Sequence, residues 1–328
     1  MKVTAAATLG LALAGAAYVS TVGVTVTSHP SAPGDLGAAR SSDDLERSID
    51  LPGPVQVETF VGADWEVPRS GLINLEHAEA KRDGLTDGPE PIHIYFHVLR
   101  HPTKGTFLVD TGVERALATD PENAAIRGVV AEAMNAEKLH VKNDTRSFVE
   151  REGGQIAGVL FTHLHLDHVS GMPDIPKGTP LFTGPGEAAA RSGLNLFVRG
   201  TTDRALEGHV ALSELPFQVD ASGRFAGVLD LFGDESVWAI WTPGHTPGSV
   251  AYVARTPDGP VLFAGDTCHT SWGWEHGVEP GDFTADQQEN AASLRTLREL
   301  AERHPKLDVR LGHQELAHTG APTGVAHR

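Results

Sequence analysis

The chain has 328 residues, 40% of them hydrophobic, and a formal net charge of −17. That length and apolar content suit one large core or two ordinary ones. The acidic balance excludes a general nucleic-acid binder, which needs clustered Lys and Arg to displace counterions.

Cys268 is the one cysteine, so no intramolecular disulfide forms and cysteine usage leaves the redox compartment open. Residues 1–28 hold Lys2 and then an uncharged run from Val3 to Ser28. This composition reads as a secretory signal, cleaved near Ala14-Gly15-Ala16, or as an uncleaved membrane anchor. Export or membrane anchoring follows from either, with a frayed cytoplasmic extension as the alternative. Residues 29–52, rich in Pro, Ser, Gly and Asp, read as a linker with little to bury. A single domain over 53–320 and a tail over 321–328 complete the organisation. A chain lacking residues 1–50 is therefore expected to stay soluble and active.

Ile92, Ile94, Phe96 and Val98 alternate onto one face, and Pro102 and Gly105 supply a turn before "TFLVD". The stretch 92–112 thus predicts a β-hairpin. An Ala-rich stretch at 123–137 predicts a helix, and 154–162 a buried strand. Glu187 to Arg191 is expected to begin a short helix. Residues 236–244, 249–256 and 259–266 are three successive strand candidates. The stretch 284–304 predicts an amphipathic helix capped by Thr284, with Leu294, Leu297, Leu300 and Ala301 on one stripe. "LDVRLGH" is a last short strand. Two central sheets with helices outside follow, an α/β layered fold.

The buried strand at 154–162 delivers its end into "THLHLDHVSG", residues 162–171. Neutral imidazole is a good ligand for first-row metals. Histidines two apart on an extended segment point the same way, so His163 and His165 can share one ion. Asp167 and His168 follow where the strand turns and can face a second. A lone loop histidine is more often an ordinary polar residue, but the clustering argues against that for the set. Further motifs sit at later strand ends: "TPGHTPGS" with His245, "FAGDT" with Asp266 and "RLGHQE" with His313, while "LVDTG" with Asp110 precedes the cluster.

These five blocks, in this order over about residues 55–316, resemble the metallo-β-lactamase-fold hydrolases. The resemblance implies an αββα four-layer sandwich with its site at the edge between the sheets. It implies that His163, His165 and His245 hold one metal, that Asp167, His168 and His313 hold the other, and that Asp266 bridges both. Asp110 would orient a ligand from behind, as such outer partners do. His77, His93, His97, His101 and His140 have no motif and read as ordinary surface or core residues. The family's true β-lactamases lack an aspartate in the Asp266 block, so antibiotic hydrolysis is a poor fit.

Two divalent ions, zinc first with iron, manganese or cobalt as alternatives, lower the pKa of a shared water enough to give hydroxide near neutral pH. That hydroxide attacks a carbonyl or phosphorus of a small-molecule substrate, with Asp167, Asp266 and His269 as the catalytic assignment. Cys268 has no base of its own and is redundant as a nucleophile. The resemblance is nearest to N-acyl homoserine lactone lactonases, in which a tyrosine three residues after the bridging aspartate assists the carbonyl and leaving group. Here His269 stands at that position. Trp272 and Trp274 could wall an acyl-chain pocket or pack beneath a loop. Residues 184–234 suit a substrate-facing insertion. Alternatives of the same fold are a thioesterase, phosphodiesterase or sulfatase, or an iron-dependent oxidoreductase. The flavodiiron type has no room for its flavodoxin domain, and the persulfide type uses one metal where seven ligands are present.

Overall fold

The computed structural model describes residues 23–316. The first 22 residues of the predicted signal or anchor, and the tail from 317, lie outside them. The strands in chain order are β1 (Val24–Thr25), β2 (Ser31–Pro33), β3 (Ala38–Arg40), β4 (Gln56–Pro68), β5 (Pro89–His101), β6 (Gly105–Val109), β7 (His140–Val141) and β8 (Gly158–Leu160). They continue with β9 (Leu181–Thr183), β10 (Arg191–Ser192), β11 (Leu212–Glu214), β12 (Gly227–Asp230), β13 (Val237–Trp241), β14 (Val250–Thr256), β15 (Gly259–Phe263) and β16 (Asp308–Arg310). One eight-stranded sheet runs β2-β11-β9-β8-β6-β5-β4-β7, and one six-stranded sheet runs β16-β15-β14-β13-β12-β3. The helices that matter for the site are α1 (Ser42–Ser48), α2 (Leu166–Val169), α3 (Asn195–Ala205), α4 (Ser271–His276) and α5 (Gln287–Arg303).

Strand alternation builds the layers. In β13, Trp238 and Ile240 point to an outer cluster that holds Leu294, Leu297 and Leu300 of α5. Val237 and Ala239 point inward, to Tyr252 of β14 and to Leu99, Val109 and Leu160 of the other sheet. The eight-stranded sheet does the same: Phe96, Val98, Leu108 and Val159 face an outer cluster with Phe148, Ala205 and Leu206. Period-2 side chains thus put a helix layer on each outer face and a shared core between the sheets. The αββα sandwich follows. Each leucine of the α5 stripe contributes about 1.5–3 kcal/mol by leaving water.

The hairpin β5–β6 and strands β13, β14 and β15 lie where the sequence predicts them. Several expectations need correction. The supposed linker at 29–52 is part of both sheets: β2 pairs in parallel with β11, and β3 pairs antiparallel with β12. Between β3 and β4, α1 carries Leu45 and delivers Ile49, both fully buried, into the outer core. Its start is a capping box between Ser41 and Asp44. Even β1, inside the predicted signal, pairs with β10. Residues 184–234 are likewise no insertion, since β11 and β12 are internal strands of the two sheets. Glu187 to Ala190 is irregular turn and Arg191 opens β10, while the helix begins only at Asn195. The Ala-rich stretch yields only a short helix, Val129–Ala133, and a 3-10 turn, Ala136–Lys138. Asp286, not Thr284, caps α5, accepting from the Glu289 N–H at 2.9 Å. Among the described residues, no helix is long and apolar enough to cross a membrane.

Candidate metal centre

Loops from both sheets meet at one end of the sandwich. β8 runs out at Leu160 and the chain extends through Thr162, His163 and His165, which stands immediately before α2. Asp167 and His168 lie on α2 itself. β13 of the other sheet leads to His245, β15 to Asp266 and β16 to His313. The result is two donor sets: His163, His165, His245 and Asp266 form one, and Asp167, His168, Asp266 and His313 the other. Within each set one ligand atom per residue lies within 4.8 Å of all the others. Asp266 Oδ2 is 3.6 Å from His163 Nε2, 3.5 Å from His245 Nε2, and 3.3 Å from both His168 Nε2 and His313 Nε2.

Neighbours fix which nitrogen each ring offers. Asp110, at a left-handed φ of 55° after β6, accepts from the Thr162 N–H and hydroxyl at 2.8 Å each and from His168 Nδ1 at 2.7 Å. His168 therefore turns Nε2 to the cluster, the usual effect of a carboxylate behind a ligating imidazole. The His93 carbonyl does the same for His313, accepting from Nδ1 at 2.8 Å. His93, read from sequence as ordinary, thus contributes through its backbone. Asn290 of α5 accepts from the His245 N–H and donates to the Thr267 carbonyl, both at 3.0 Å, joining the His245 and Asp266 loops. Thr284 Oγ1 lies 3.2 Å from His245 Nδ1, so this residue supports a ligand rather than capping the helix. Gly312 has a direct steric reason: a Cβ there would lie 2.1 Å from Asp266 Oδ1.

The residues fit a metal on their own chemistry. His163 Nε2, His168 Nε2 and Asp266 Oδ1 are buried with no hydrogen-bond partner among the described residues. Buried polar atoms rarely stay unpaired, and both imidazole nitrogens face the Asp266 carboxylate, at 3.6 and 3.3 Å from Oδ2. His245 Nε2 and His165 Nδ1 face each other at 2.9 Å, a contact that needs a proton or a cation between two lone pairs. Burial pushes His163 and His245 well below the usual imidazole range and His165 down to about 4, so these rings are neutral donors. Burial opposes ionisation of Asp266 and Asp167 as well, yet the surrounding histidines hold both carboxyls well below their usual range.

His269 is buried beside the centre, with Nε2 2.9 Å from Asp266 Oδ2 and Nδ1 3.2 Å from the Leu72 carbonyl. The two tryptophans that follow do not form one wall. Trp272 stacks on His276 at 4.3 Å and packs with Leu72, Ile73 and Val278, while Trp274 packs against the cluster beneath α5. Two positions apart on a helix they point to different faces. Of the other histidines, His97 is buried against Thr59 Oγ1 at 2.7 Å, and His101 pairs with Asp234 at 2.9 Å. His77 caps a short helix and His140 lies in β7. None of these four belongs to either donor set. Sequence reasoning missed Glu187, Asn290, Thr284 as a ligand support, and the Leu72 and His93 carbonyls. Apart from the Thr284 hydroxyl, which meets the His245 ring, each of these contacts has a backbone group on one side, and such contacts leave no residue pattern.

Two stacked sheets flanked by helices, with paired His/Asp donor sets where their loops meet, define a class of metal-dependent hydrolases. The chain belongs to the metallo-β-lactamase superfamily, whose sequence profile matches residues 87–313. It is 26% identical over 253 residues to the N-acyl homoserine lactonase AttM of Agrobacterium fabrum strain C58, covering 72% of this chain and 88% of that protein. It is 28% identical over 252 residues to the gamma-lactamase FDB1 of Fusarium pseudograminearum, covering 68% of this chain and 57% of that protein. A solved quorum-quenching N-acyl homoserine lactone lactonase is similar in fold, with a TM-score of 0.58 at 18% identity, over 80% of this chain and 93% of its own. The chain is accordingly a hydrolase of this superfamily, with a His/Asp cluster able to bind metal ions.

Proposed function

We propose that the protein is a dinuclear metal-dependent hydrolase of cyclic carboxylic esters, with N-acyl homoserine-type lactones as the substrate class. The observation that carries this reading is Asp266, the one residue common to both donor sets. Bound there, two divalent ions, with zinc the first candidate, supply Lewis acidity and an activated water near neutral pH. His163, His165 and His245 would hold one ion, Asp167, His168 and His313 the other, and Asp266 both. Asp110 and the His93 carbonyl keep the rings of His168 and His313 turned inward, so the donors are set before substrate arrives.

His269 stands at the substrate side of Asp266 in this reading. Its Nδ1 is engaged by the Leu72 carbonyl and its Nε2 faces Asp266 Oδ2 at 2.9 Å, so assisting the substrate's carbonyl or leaving oxygen takes an imidazolium whose Nε2–H turns from the carboxylate to that oxygen. Cys268 takes no part: it is buried, its thiol is pushed up to about 12 by burial, and Sγ is 3.4 Å from the Thr270 carbonyl. The relatives named as lactonase and gamma-lactamase support a cyclic acyl substrate.

A panel of lactones, γ-lactams, thioesters, phosphodiesters and sulfate esters tests the assignment. Acyl homoserine lactones are expected to give the highest kcat/KM. Inert lactones beside a rapidly cleaved thioester, phosphodiester or sulfate ester would move the chain to another branch of the fold.

A further inference from the structure

Glu187 is a carboxylate with no solvent exposure, and the groups that act on its charge among the described residues include no Lys or Arg. Isolated buried carboxylates are costly and are retained only where specific donors satisfy them. Its Oε1 accepts from the N–H of Leu164, the residue between His163 and His165, at 2.9 Å. Its Oε2 accepts from the N–H of Gly248, three residues after His245, at 3.0 Å. The Thr246 hydroxyl, 2.8 Å from Ser249 Oγ, sits beside the same carboxylate and favours its charged form. These two loops come from different sheets. The segment that carries Glu187 lies tightly against the second of them: a Cβ on Gly248 would lie 2.5 Å from the Glu187 Cβ, and one on Gly184 would lie 1.9 Å from the Gly248 carbonyl oxygen. The other donor set is held by different groups, Asp110 and the His93 carbonyl.

We infer that Glu187 is a positioning residue that clasps the two loops delivering His163, His165 and His245, and so sets the spacing of one donor set and not of the other. The inference rests on the two-ion reading above. One side chain that accepts from two backbone N–H donors fixes two loops at once, where a hydrophobic contact would let them slide. Glutamine keeps the volume and one acceptor oxygen but turns an NH2 group toward one of the backbone N–H donors, so it opens the clasp on one side.

Zinc affinity in single-site backgrounds tests this. His313→Ala leaves the His163/His165/His245 set, and His245→Ala leaves the Asp167/His168/His313 set. Adding Glu187→Gln is expected to weaken zinc binding about 10–100-fold in the first background and to leave it unchanged in the second, the range seen when partners behind ligands are lost. Equal losses in both, or none in either, would overturn the clasp. If Glu187→Gln does not fold, Thr246→Val removes the hydroxyl that faces the carboxylate, together with its contact to Ser249 Oγ, and leaves both backbone N–H bonds to Glu187 in place. It is expected to show the same site preference with a smaller loss, and no preference would again overturn the clasp. Absence of zinc binding in the unmodified protein would instead remove the two-ion reading, and the clasp with it.

Discussion

His269 meets both the shared carboxylate and the Leu72 carbonyl, which fixes its ring beside the donor sets without making it a member of either. If it assists the substrate oxygen, His269→Ala is expected to lower kcat by on the order of 10²–10⁴-fold with metal content unchanged. Normal kinetics at full metal loading would leave the ring a packing role. Glu114 offers a test of stability away from the centre. Burial, with Asp174 adding to it, pushes its carboxyl from 4.5 up to about 7. A raised acid binds more protons folded than unfolded between those values, so stability falls as pH rises from about 5 to 7 and levels off above. Glu114→Gln is expected to flatten that slope in thermal melts; an unchanged slope would place its origin elsewhere. The ligand-type residues were legible in the sequence because His and Asp at strand ends carry their chemistry in their side chains. Glu187, Asn290 and Leu72 were not, because their contribution is which backbone group they meet.

At the scale of elements, the sequence disclosed strands that bury alternate apolar residues and concealed strands held by backbone bonds alone. β13 and β14 alternate between two cores and are evident from composition. β2 is exposed at every position, and β3 at two of three, so nothing apolar marks them. The polar stretch around them looked like a linker although it closes one end of each sheet. Its two core residues, Leu45 and Ile49, stand four apart, a single helical turn that is too short to show a period. The consequence reverses the expectation for truncation. A chain starting at residue 51 loses β2, β3 and α1, and each buried aliphatic removed from a core costs about 2–5 kcal/mol. It is expected to be insoluble or to lack a cooperative melt, while a chain starting at Gly23 keeps every described element. Equal Tm values for the two would return this segment to the status of a linker.

For the whole molecule, the sandwich explains why the site lies where it does. Each sheet must bury one face on the other and one on helices, so its strands are committed to the core and the loops at their ends are free to carry ligands. The two sheets each send loops to the same end, and residues as distant in sequence as Asp110 and His313 come together there. The four-layer arrangement was legible because alternation, helix stripe and motif order agree; the pairing of the terminal strands was not, because it depends on contacts across nearly two hundred residues. The central claim is that Asp266 holds two ions at once. Metal content per chain, measured on purified wild type and on Asp266→Ala together with lactone hydrolysis, tests it most directly. Close to two first-row ions are expected in the wild type, fewer in the variant, and hydrolysis is lost with them. A wild-type protein that carries no metal and gains no activity when divalent ions are added would contradict it.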